Sequence, residues 1–437
     1  MIAPTFTLPK TSLLRLQDPA THGNSFSLDG FPALKEGKDW KSRLVEFIEV
    51  KGALGMTTNQ TLFRQLLETG VLDARLRSFQ KEGRSPAQIY PILYNEAAME
   101  AAGIFARVHA QQPWEGRVSQ EASALLTELD PLVQEVSRIG GAMKGAGAFT
   151  KIPNLRIGPQ AVRLATATGQ VSPNVTLVFS DRHYLDTAEG YVLGLKDLAD
   201  KGGDLSRTHS VNSLFVSRVD RVVDPMIGEQ RRTLKGKVAV AQAKKIYQIF
   251  EAIFLGNPFL DPEGLYADEE GKALIEKIEQ SRALFGTLRV RGANPQRLLI
   301  ASSGVKSDQP YSPLLYVLPF LGPWSANTMP EGTFEALVRF VSGLSDDQAA
   351  SLRGRNLISD PLPEMLTEAE EWDQALLKAP GTLTPDQVLR AARDFVLQPA
   401  GTSLRQIGDT LRDKGADSFM ADEQAALQAI QSKLQAL

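Results

Sequence analysis

Short apolar runs alternate with helix-length segments through most of this chain, and that alternation limits the folds open to it. Seven runs have the length and the β-branched or aromatic content of buried strands: 52–58, 116–123, 148–153, 174–180, 210–219, 297–304 and 324–329. Between them lie segments such as 86–110, 183–202 and 236–254, in which apolar residues recur three and four positions apart. This order predicts a parallel β-sheet covered by helices.

An eighth strand is predicted at 25–31, and eight strand–helix units favour a closed barrel over an open sheet. We therefore predict an α/β fold, a single-domain (β/α)8 TIM barrel with additional C-terminal helices. The predicted divisions are an N-terminal extension (1–24), the barrel (25–342) with an insertion near 257–286, and a helical segment packed on the barrel (343–437).

Two local patterns refine this prediction. The glycine-rich stretch 140–148 precedes a strand instead of following one, so we interpret it as a helix end and connector, not as a nucleotide-binding loop. Further along, Thr384, Pro385 and Gln387 form a helix-start pattern, and the last helix is predicted at about 419–436.

Composition excludes several classes of function. The formal net charge of −3 gives no overall positive charge of the kind that nucleic acid or an anionic membrane requires, although it leaves a local basic patch open. The chain has no cysteine, which excludes thiol catalysis and disulfides. The N-terminus has no signal-peptide pattern, and no apolar run approaches the roughly 18 residues that span a bilayer. We expect a cytoplasmic protein.

Known catalytic motifs are also missing. The four histidines, His22, His109, His183 and His209, are far apart without metal-ligand spacing, so we predict that they are structural or on the surface. The nucleophile elbow of serine hydrolases is absent too. We expect neither a metal nor another cofactor.

The polar residues at the predicted strand ends form a more informative set, because those ends build the active site of such a barrel. They are Thr57, Thr58, Asn59, Glu121, Lys151, Asn174, Thr176, Ser213, Arg218, Ser302, Ser303, Lys306 and Asn327. A lysine held in a partly desolvated strand end has a lowered pKa, and its neutral amine can attack a ketone to form a Schiff base. Carboxylates would move protons, while Arg218, Ser213 and Lys306 suit a phosphate.

Each of these residues alone has an ordinary structural explanation. Lys151 could extend its ammonium to solvent or pair with a carboxylate. Glu121 could belong to a structural ion pair, and Asn59 and Asn174 could cap helices. Only the set as a whole favours carbonyl chemistry.

The motifs around these residues resemble those of transaldolases, in particular the longer bacterial form. They are "VKGALGMTTNQTLF" (50–63), "GRVSQEAS" (116–123), "FTKIPN" (149–154), "VSPNVTLVFS" (171–180), "HSVNSLFVSRVD" (209–220), "LLIASSGVKS" (298–307) and "ANTMPE" (326–331). Together they extend over about 30–335 in the order typical of that family. The resemblance implies a (β/α)8 barrel and a metal-free transferase that acts through a lysine Schiff base.

By this resemblance, Lys151 would form the imine with a ketose phosphate. Asn59 and Asn174 would hold the hydroxyls of the bound dihydroxyacetone unit, and Ser213 would assist. The unit would pass from sedoheptulose 7-phosphate or fructose 6-phosphate to glyceraldehyde 3-phosphate or erythrose 4-phosphate, in the pentose phosphate pathway.

The resemblance also implies roles for the remaining residues. Glu121 and Thr176 would position the water of imine formation and hydrolysis, and Arg218 would bind the sugar phosphate. Asp29 is the candidate for the acid of the first strand. The other contacts to substrate would come from Thr57, Ser302 and Lys306.

The chain departs from the family pattern at two places. Asn154 and Leu155 follow Pro153 where Ala-Thr is expected, and Gln60 replaces a proline after the Thr-Thr-Asn motif. These changes would alter loop shape and acceptor preference. Two alternatives therefore stay open: a related lysine-dependent sugar-phosphate aldolase of different specificity, and a non-catalytic scaffold with the same fold. A homodimer is compatible with the sequence.

Overall fold

The computed structural model describes residues 9–35, 37–363 and 381–436. Its centre is a closed barrel of eight parallel strands, paired in chain order from β1 to β8 and back to β1. The strands are β1 (Ser25–Asp29), β2 (Gly55–Thr57), β3 (Arg117–Glu121), β4 (Ala148–Pro153), β5 (Pro173–Val178), β6 (Ser210–Phe215), β7 (Gln296–Ala301) and β8 (Ala326–Met329). The predicted (β/α)8 barrel is confirmed.

Helices surround this barrel. They are α1 (Trp40–Glu49), α2 (Gln60–Glu68), α3 (Asp73–Lys81), α4 (Pro86–Gln111), α5 (Leu129–Ala142), α6 (Gly158–Thr166), α7 (Asp181–Asp200), α8 (Ser217–Val223), α9 (Val238–Phe250), α10 (Glu269–Arg289), α11 (Glu331–Ser342), α12 (Asp346–Arg353), α13 (Pro385–Ala392) and α14 (Leu404–Ala436). Most apolar side chains between strands and helices form one buried core. A second small cluster, of Phe149, Val211, Leu299 and Ala326, belongs to four of the barrel strands.

Local sequence patterns correctly predict several boundaries of helices and strands. The glycine-rich stretch is a connector between the end of α5 at Ala142 and β4, with Gly145 and Gly147 at positive φ. Thr384 caps α13, and its side chain forms the predicted capping box with Gln387. The segment 257–286 consists of a loop and most of α10, which packs against α7.

Several predicted strands end earlier than the sequence suggests, and the difference is largest, at four and three residues, for the runs 210–219 and 297–304. The run 210–219 leaves the sheet after Phe215, because Val216 already has helical dihedral angles and α8 follows. The run 297–304 ends at Ala301, and Ser302 has a φ of 52°. Apolar residues continue through the first turn, at Val216 and Val219, so they do not mark the end of that strand. The second turn, 302–304, consists of two serines and a glycine, and the strand ends where this small polar segment begins.

The last helix begins at Leu404, well before the predicted start at about 419. Two glycines obscure the helical pattern there. Gly408 lies against Ser180, and a Cβ at Gly415 would approach the Leu177 side chain to 2.8 Å. The helix packs so closely on the barrel that only glycine fits at these two positions. An amphipathic helix would usually have large apolar residues there, so the helical pattern is not visible in the sequence.

The division into an N-terminal extension, a barrel and a C-terminal helical segment stays a prediction. Parts of it (1–8, 364–380 and 437) lie outside the described residues. In the part of the chain that is described, no helix is both long enough and apolar enough to cross a membrane.

Candidate active site

A cavity of about 190 Å³ opens at the C-terminal ends of the barrel strands. Its lining residues are Asp29, Thr57, Asn59, Lys151, Ser213, Phe215, Ser217, Arg218, Ala301, Ser302, Gly304, Lys306, Thr328 and Pro330. Since they come from six of the eight strands or from the turns that follow them, barrel closure brings together residues that are far apart in sequence.

Lys151 lies on β4 with its side chain almost fully buried. The pairing of β3 with β4 aligns Glu121 with Lys151, and the ammonium Nζ lies 3.3 Å from Glu121 Oε2. The same Nζ donates a hydrogen bond to the Thr58 carbonyl at 3.2 Å. A buried ammonium thus faces one buried carboxylate at the edge of the cavity.

Burial raises the pKa of Glu121 from its ordinary 4.5 to about 7, although the neighbouring Lys151 opposes that rise. Apart from the contact with Lys151, neither carboxylate oxygen has a well-formed hydrogen bond within the described residues. The Glu121 N–H donates to the Tyr94 hydroxyl at 3.4 Å, and that hydroxyl lies 2.7 Å from Thr58 Oγ1. A carboxyl with a pKa near neutrality can accept and return a proton at working pH.

Helix α14 supports the turn that follows Glu121. Glu423 accepts a hydrogen bond from Ser123 Oγ at 2.6 Å and another from the Ala124 N–H at 2.7 Å. Burial raises the pKa of the Glu423 carboxyl. The C-terminal segment is therefore part of the structure that positions β3.

Asn174 is fixed by two hydrogen bonds across the barrel interior. Its Nδ2 donates to Ser119 Oγ at 2.9 Å, and its Oδ1 accepts from Ser213 Oγ at 2.7 Å. Thr176, two residues further on β5, is fully buried, and its hydroxyl has no hydrogen-bond partner within the described ranges. Because a buried hydroxyl usually has a partner, Thr176 suggests a position for an ordered water or a substrate atom.

The backbone is irregular just beyond Thr176. Leu177 has a φ of 61°, and the register between β5 and β6 shifts between Val175 and Val178. A positive φ is costly for a leucine, and such strain is often found at functional sites.

Asp29 ends β1 and lies on the cavity wall. Thr57 Oγ1 donates to its carboxylate at 2.7 Å and lies 2.6 Å from Thr328 Oγ1. Asn59 also lines the cavity, but its Oδ1 caps α2 by accepting from the Leu62 N–H at 2.9 Å. The capping explanation and a contact to substrate are therefore compatible for Asn59.

Two cations line another part of the cavity. Arg218 lies in the first turn of α8, not at a strand end, and its guanidinium packs over the Phe215 ring at 5.2 Å. Neither Arg218 nor the exposed Lys306 has a carboxylate within 4 Å in the described part of the chain. Burial lowers the pKa of Arg218. Ser302 Oγ and Ser217 Oγ lie 3.0 Å apart beside these cations.

The structure brings together most of the residues singled out in the sequence. Eight of the predicted residues line the cavity: Asp29, Thr57, Asn59, Lys151, Ser213, Arg218, Ser302 and Lys306. The other six are buried and do not line it: Thr58, Glu121, Asn174, Thr176, Ser303 and Asn327. Sequence reasoning missed Thr328, although the alternation along β8 could have identified it. Asn327, suggested in its place, donates to the Tyr316 carbonyl at 2.9 Å and does not line the cavity.

Two supporting residues carried no sequence signal, because they belong to distant helices: Tyr94 on α4 and Glu423 on α14. No strand-end pattern includes them. They reach β3 only through tertiary packing.

The histidines are not grouped at this site. His183 contacts Asp409 at 2.9 Å, and the rings of His22 and His209 pack against Trp114. Over the described ranges, no three His, Asp or Glu side chains are grouped as a metal ion would require.

Comparison with known proteins agrees with this architecture. A family model described as transaldolase/fructose-6-phosphate aldolase matches residues 39–430. A protein named transaldolase from Thermobifida fusca is 29% identical over 400 residues, which is 90% of this chain and 92% of that protein. One of the same name from Mycobacterium ulcerans is 31% identical over 301 residues, 67% of this chain and 74% of its own length. This chain therefore belongs to the transaldolase/fructose-6-phosphate aldolase family and is an enzyme of the transaldolase type.

Proposed function

We propose that this protein transfers a dihydroxyacetone unit from a ketose phosphate to an aldose phosphate through a Schiff base on Lys151. The observation that carries the proposal is the buried Lys151 ammonium, which lies 3.3 Å from Glu121 Oε2. The same cavity contains Asp29 and two cations that have no carboxylate partner among the described residues. The donor is sedoheptulose 7-phosphate or fructose 6-phosphate, the acceptor glyceraldehyde 3-phosphate or erythrose 4-phosphate. The reaction belongs to the pentose phosphate pathway.

Imine formation begins with a proton transfer. The Lys151 ammonium gives a proton to Glu121, whose pKa of about 7 suits it to hold that proton near neutral pH. The neutral amine then adds to the ketone carbon, and the carbinolamine loses water to form the iminium ion. Glu121 supplies the proton for the departing water, and the unpartnered Thr176 hydroxyl holds this water.

Carbon–carbon cleavage requires a base on the cavity wall, and Asp29 is the residue suited to it. Asp29 takes the proton from the hydroxyl on the carbon beyond the breaking bond, the aldose leaves, and the electron pair remains as an enamine on Lys151. When the acceptor aldehyde arrives, the enamine attacks it and Asp29 returns the proton. Water then hydrolyses the new imine and releases the product.

The remaining polar residues hold the substrate. Asn174, fixed by Ser119 and Ser213, presents its amide to the hydroxyls of the three-carbon unit, as does Asn59. Arg218 and Lys306 bind the phosphate, because cations that have no carboxylate partner within the described ranges favour a doubly charged anion. Ser302 and Thr57 complete the contacts.

A lysine-dependent aldolase is the second candidate, and the family description itself includes fructose-6-phosphate aldolase. Such an enzyme would release free dihydroxyacetone when no acceptor is present, whereas a transaldolase would retain the unit on Lys151. A non-catalytic scaffold does not agree with the membership of this chain in an enzyme family, and Asp29 lines the same cavity as Lys151.

Borohydride reduction tests the central step. The full chain is incubated with fructose 6-phosphate, reduced, and analysed by mass spectrometry of the intact protein and of its peptides. We expect a three-carbon adduct on Lys151 that is absent in Lys151→Ala. Lys244 and Lys245 are internal controls, because they are equally buried but do not line this cavity. Lys244 donates to the Asp360 carbonyl, and Lys245 pairs with the Asp386 carboxylate at 2.6 Å.

The absence of an adduct from a folded sample, across several ketose phosphates, would contradict the Schiff-base proposal. An adduct on Lys151 combined with release of dihydroxyacetone at the same rate with and without acceptor would assign the aldolase. A cytoplasmic location and a homodimer also stay predictions, and analytical ultracentrifugation tests the second.

A further inference from the structure

A second, larger cavity lies at the opposite end of the barrel. Its volume is about 520 Å³, and four successive connections into β3, β4, β5 and β6 contribute its walls: 109–117, 140–150, 169–172 and 206–209. This size is within the roughly 300–1,000 Å³ typical of small-molecule sites. It is separate from the cavity that contains Lys151, with which it shares no lining residue.

The charge of this cavity has one sign. Arg117, Lys144 and Arg207 line it, and no Asp or Glu side chain does so in the described part of the chain. The two lining imidazoles, His109 and His209, add no charge near neutral pH, because burial lowers the pKa of each. Glu115 is close in sequence, but its carboxylate is bound to Arg297 at 3.0 Å and to Ser25. Arg207 pairs with the exposed Asp204 at 3.4 Å, whereas Arg117 and Lys144 have no carboxylate within 4 Å in the described ranges.

Arg117 is the central cation of this group. Its Nε and Nη2 both donate to the Pro113 carbonyl, at 3.1 and 2.8 Å, and its guanidinium lies 5.0 Å from the centre of the Phe149 ring. No carboxylate is within 4 Å of it among the residues described. A partly desolvated guanidinium without a carboxylate is unfavourable, and a bound anion would remove that cost.

The other walls also suit a polar ligand. His109 Nδ1 is engaged with the Glu115 carbonyl at 2.9 Å, which leaves its Nε2 for another partner. Thr208 Oγ1 and His209 Nδ1 are buried without hydrogen-bond partners in the described ranges. Burial and nearby Arg117 hold the pKa of His209 well below its usual value, as expected in an electropositive environment.

The glycine-rich connector gives this wall its shape. Gly147 has a φ of 64°, and a Cβ there would approach the His109 ring to 2.6 Å. Gly145, at a φ of 82°, follows Lys144, which is exposed and has no ion pair within the described residues. The connector therefore allows the backbone and Lys144 to approach a ligand in the cavity closely.

We propose that this cavity, at the N-terminal end of the barrel, binds a small anion that carries a phosphate group, held chiefly by Arg117 and Lys144. The phosphate group is the shared chemistry of two sources, inorganic phosphate and a small phosphomonoester. Phosphate suits the site because arginine presents paired donors to it and lysine adds a point charge.

Tryptophan fluorescence can test this site in the full-length protein. Trp114 contacts the His209 ring with 4.6 Å between ring centres, so ligand binding should change its emission. Wild-type protein is titrated with inorganic phosphate at constant ionic strength, with chloride as the control. We expect a saturable change that Arg117→Met abolishes and Lys144→Met weakens about tenfold, as expected for loss of one charged contact.

Two control variants separate this site from the active site and from general effects of charge. Arg218→Met removes the phosphate contact of the proposed active site and should leave the fluorescence change intact. Lys272→Met removes an exposed lysine of α10 and should have no effect. Circular dichroism checks the folding of each variant. If Arg117→Met does not fold, Lys144→Met decides, because Lys144 is exposed.

The source of the phosphate is identified by a parallel titration with glycerol 3-phosphate. Binding at least tenfold tighter than that of inorganic phosphate assigns a phosphomonoester, and equal binding assigns free phosphate. Isothermal titration calorimetry on Arg218→Met gives a second measure of binding. Absence of heat and of a fluorescence change, or binding that survives both Arg117→Met and Lys144→Met, would overturn the proposal.

Discussion

Replacement of Glu121 by glutamine should change the pH dependence of stability in a defined way. Glu121 has a pKa of about 7 in the folded protein and an ordinary value of 4.5. The folded protein therefore binds an additional proton between these two values. The contribution of this group to the free energy of unfolding of the wild type is complete below its pKa in the unfolded state. This contribution is lost as the pH rises through its pKa in the folded state.

The magnitude follows from the two pKa values. Between about pH 5 and pH 8, at about 1.4 kcal/mol per pKa unit, the wild-type protein should lose roughly 2 to 3 kcal/mol through this group alone. A glutamine side chain is nearly isosteric with glutamate and has no charge to desolvate. The glutamine variant should not lose this contribution. As the pH is raised from 5 to 8, its free energy of unfolding should therefore increase relative to that of the wild type by the same amount.

Urea unfolding at the two pH values, followed by circular dichroism, measures this difference. The matched control is Glu128→Gln, because Glu128 is exposed at the start of α5 and makes no side-chain cap. An equal stability difference between Glu121→Gln and the wild type at both pH values would refute the reasoning. The carboxyl would then titrate as if it were in water.

Three further substitutions test the proposed roles. Asp29→Asn should lower kcat by about 10²- to 10⁴-fold, because the general base is lost. Borohydride should still trap the uncleaved six-carbon ketose on Lys151 of this variant. An unchanged kcat would exclude Asp29 as the base. Arg218→Met should raise KM for a phosphorylated donor by about 10- to 100-fold, which corresponds to the loss of one charged hydrogen bond. Arg218→Lys should have an intermediate effect, and KM for an unphosphorylated donor should not change. Equal increases in KM for both donors would indicate a structural role for Arg218. Glu423→Ala removes two hydrogen bonds from the turn after β3 and should lower the free energy of unfolding by about 2–3 kcal/mol. Urea unfolding measures this change, and an unchanged midpoint would show that the turn does not depend on Glu423.

The sequence was a good guide where the barrel repeats itself. Lys151 and Thr57 lie at or near the ends of short buried runs, so their positions could be predicted from local pattern. Asp29 was identified only through the resemblance to the family. Local pattern could not predict that Arg218 lies in a helix, because Phe215 and Val216 continue the apolar run through the turn.

Tertiary contacts explain the remaining differences. Tyr94 and Glu423 reach β3 from α4 and α14, at positions that no spacing relates to Glu121. The start of α14 was hidden because Gly408 and Gly415 are required for close approach to the barrel. The raised pKa of Glu121 likewise depends on burial by several separate elements.

Helix α14 also has a consequence for the order in which the site becomes complete during synthesis. The eight strands end at Met329, whereas Glu423 lies far later in the chain. A nascent chain can therefore close its barrel while the turn after Glu121 still lacks its carboxylate support. Since domains fold as the chain emerges from the ribosome, the cavity should acquire its final shape only after α14 docks. Closure of the barrel and completion of the active-site cavity are therefore two separate events.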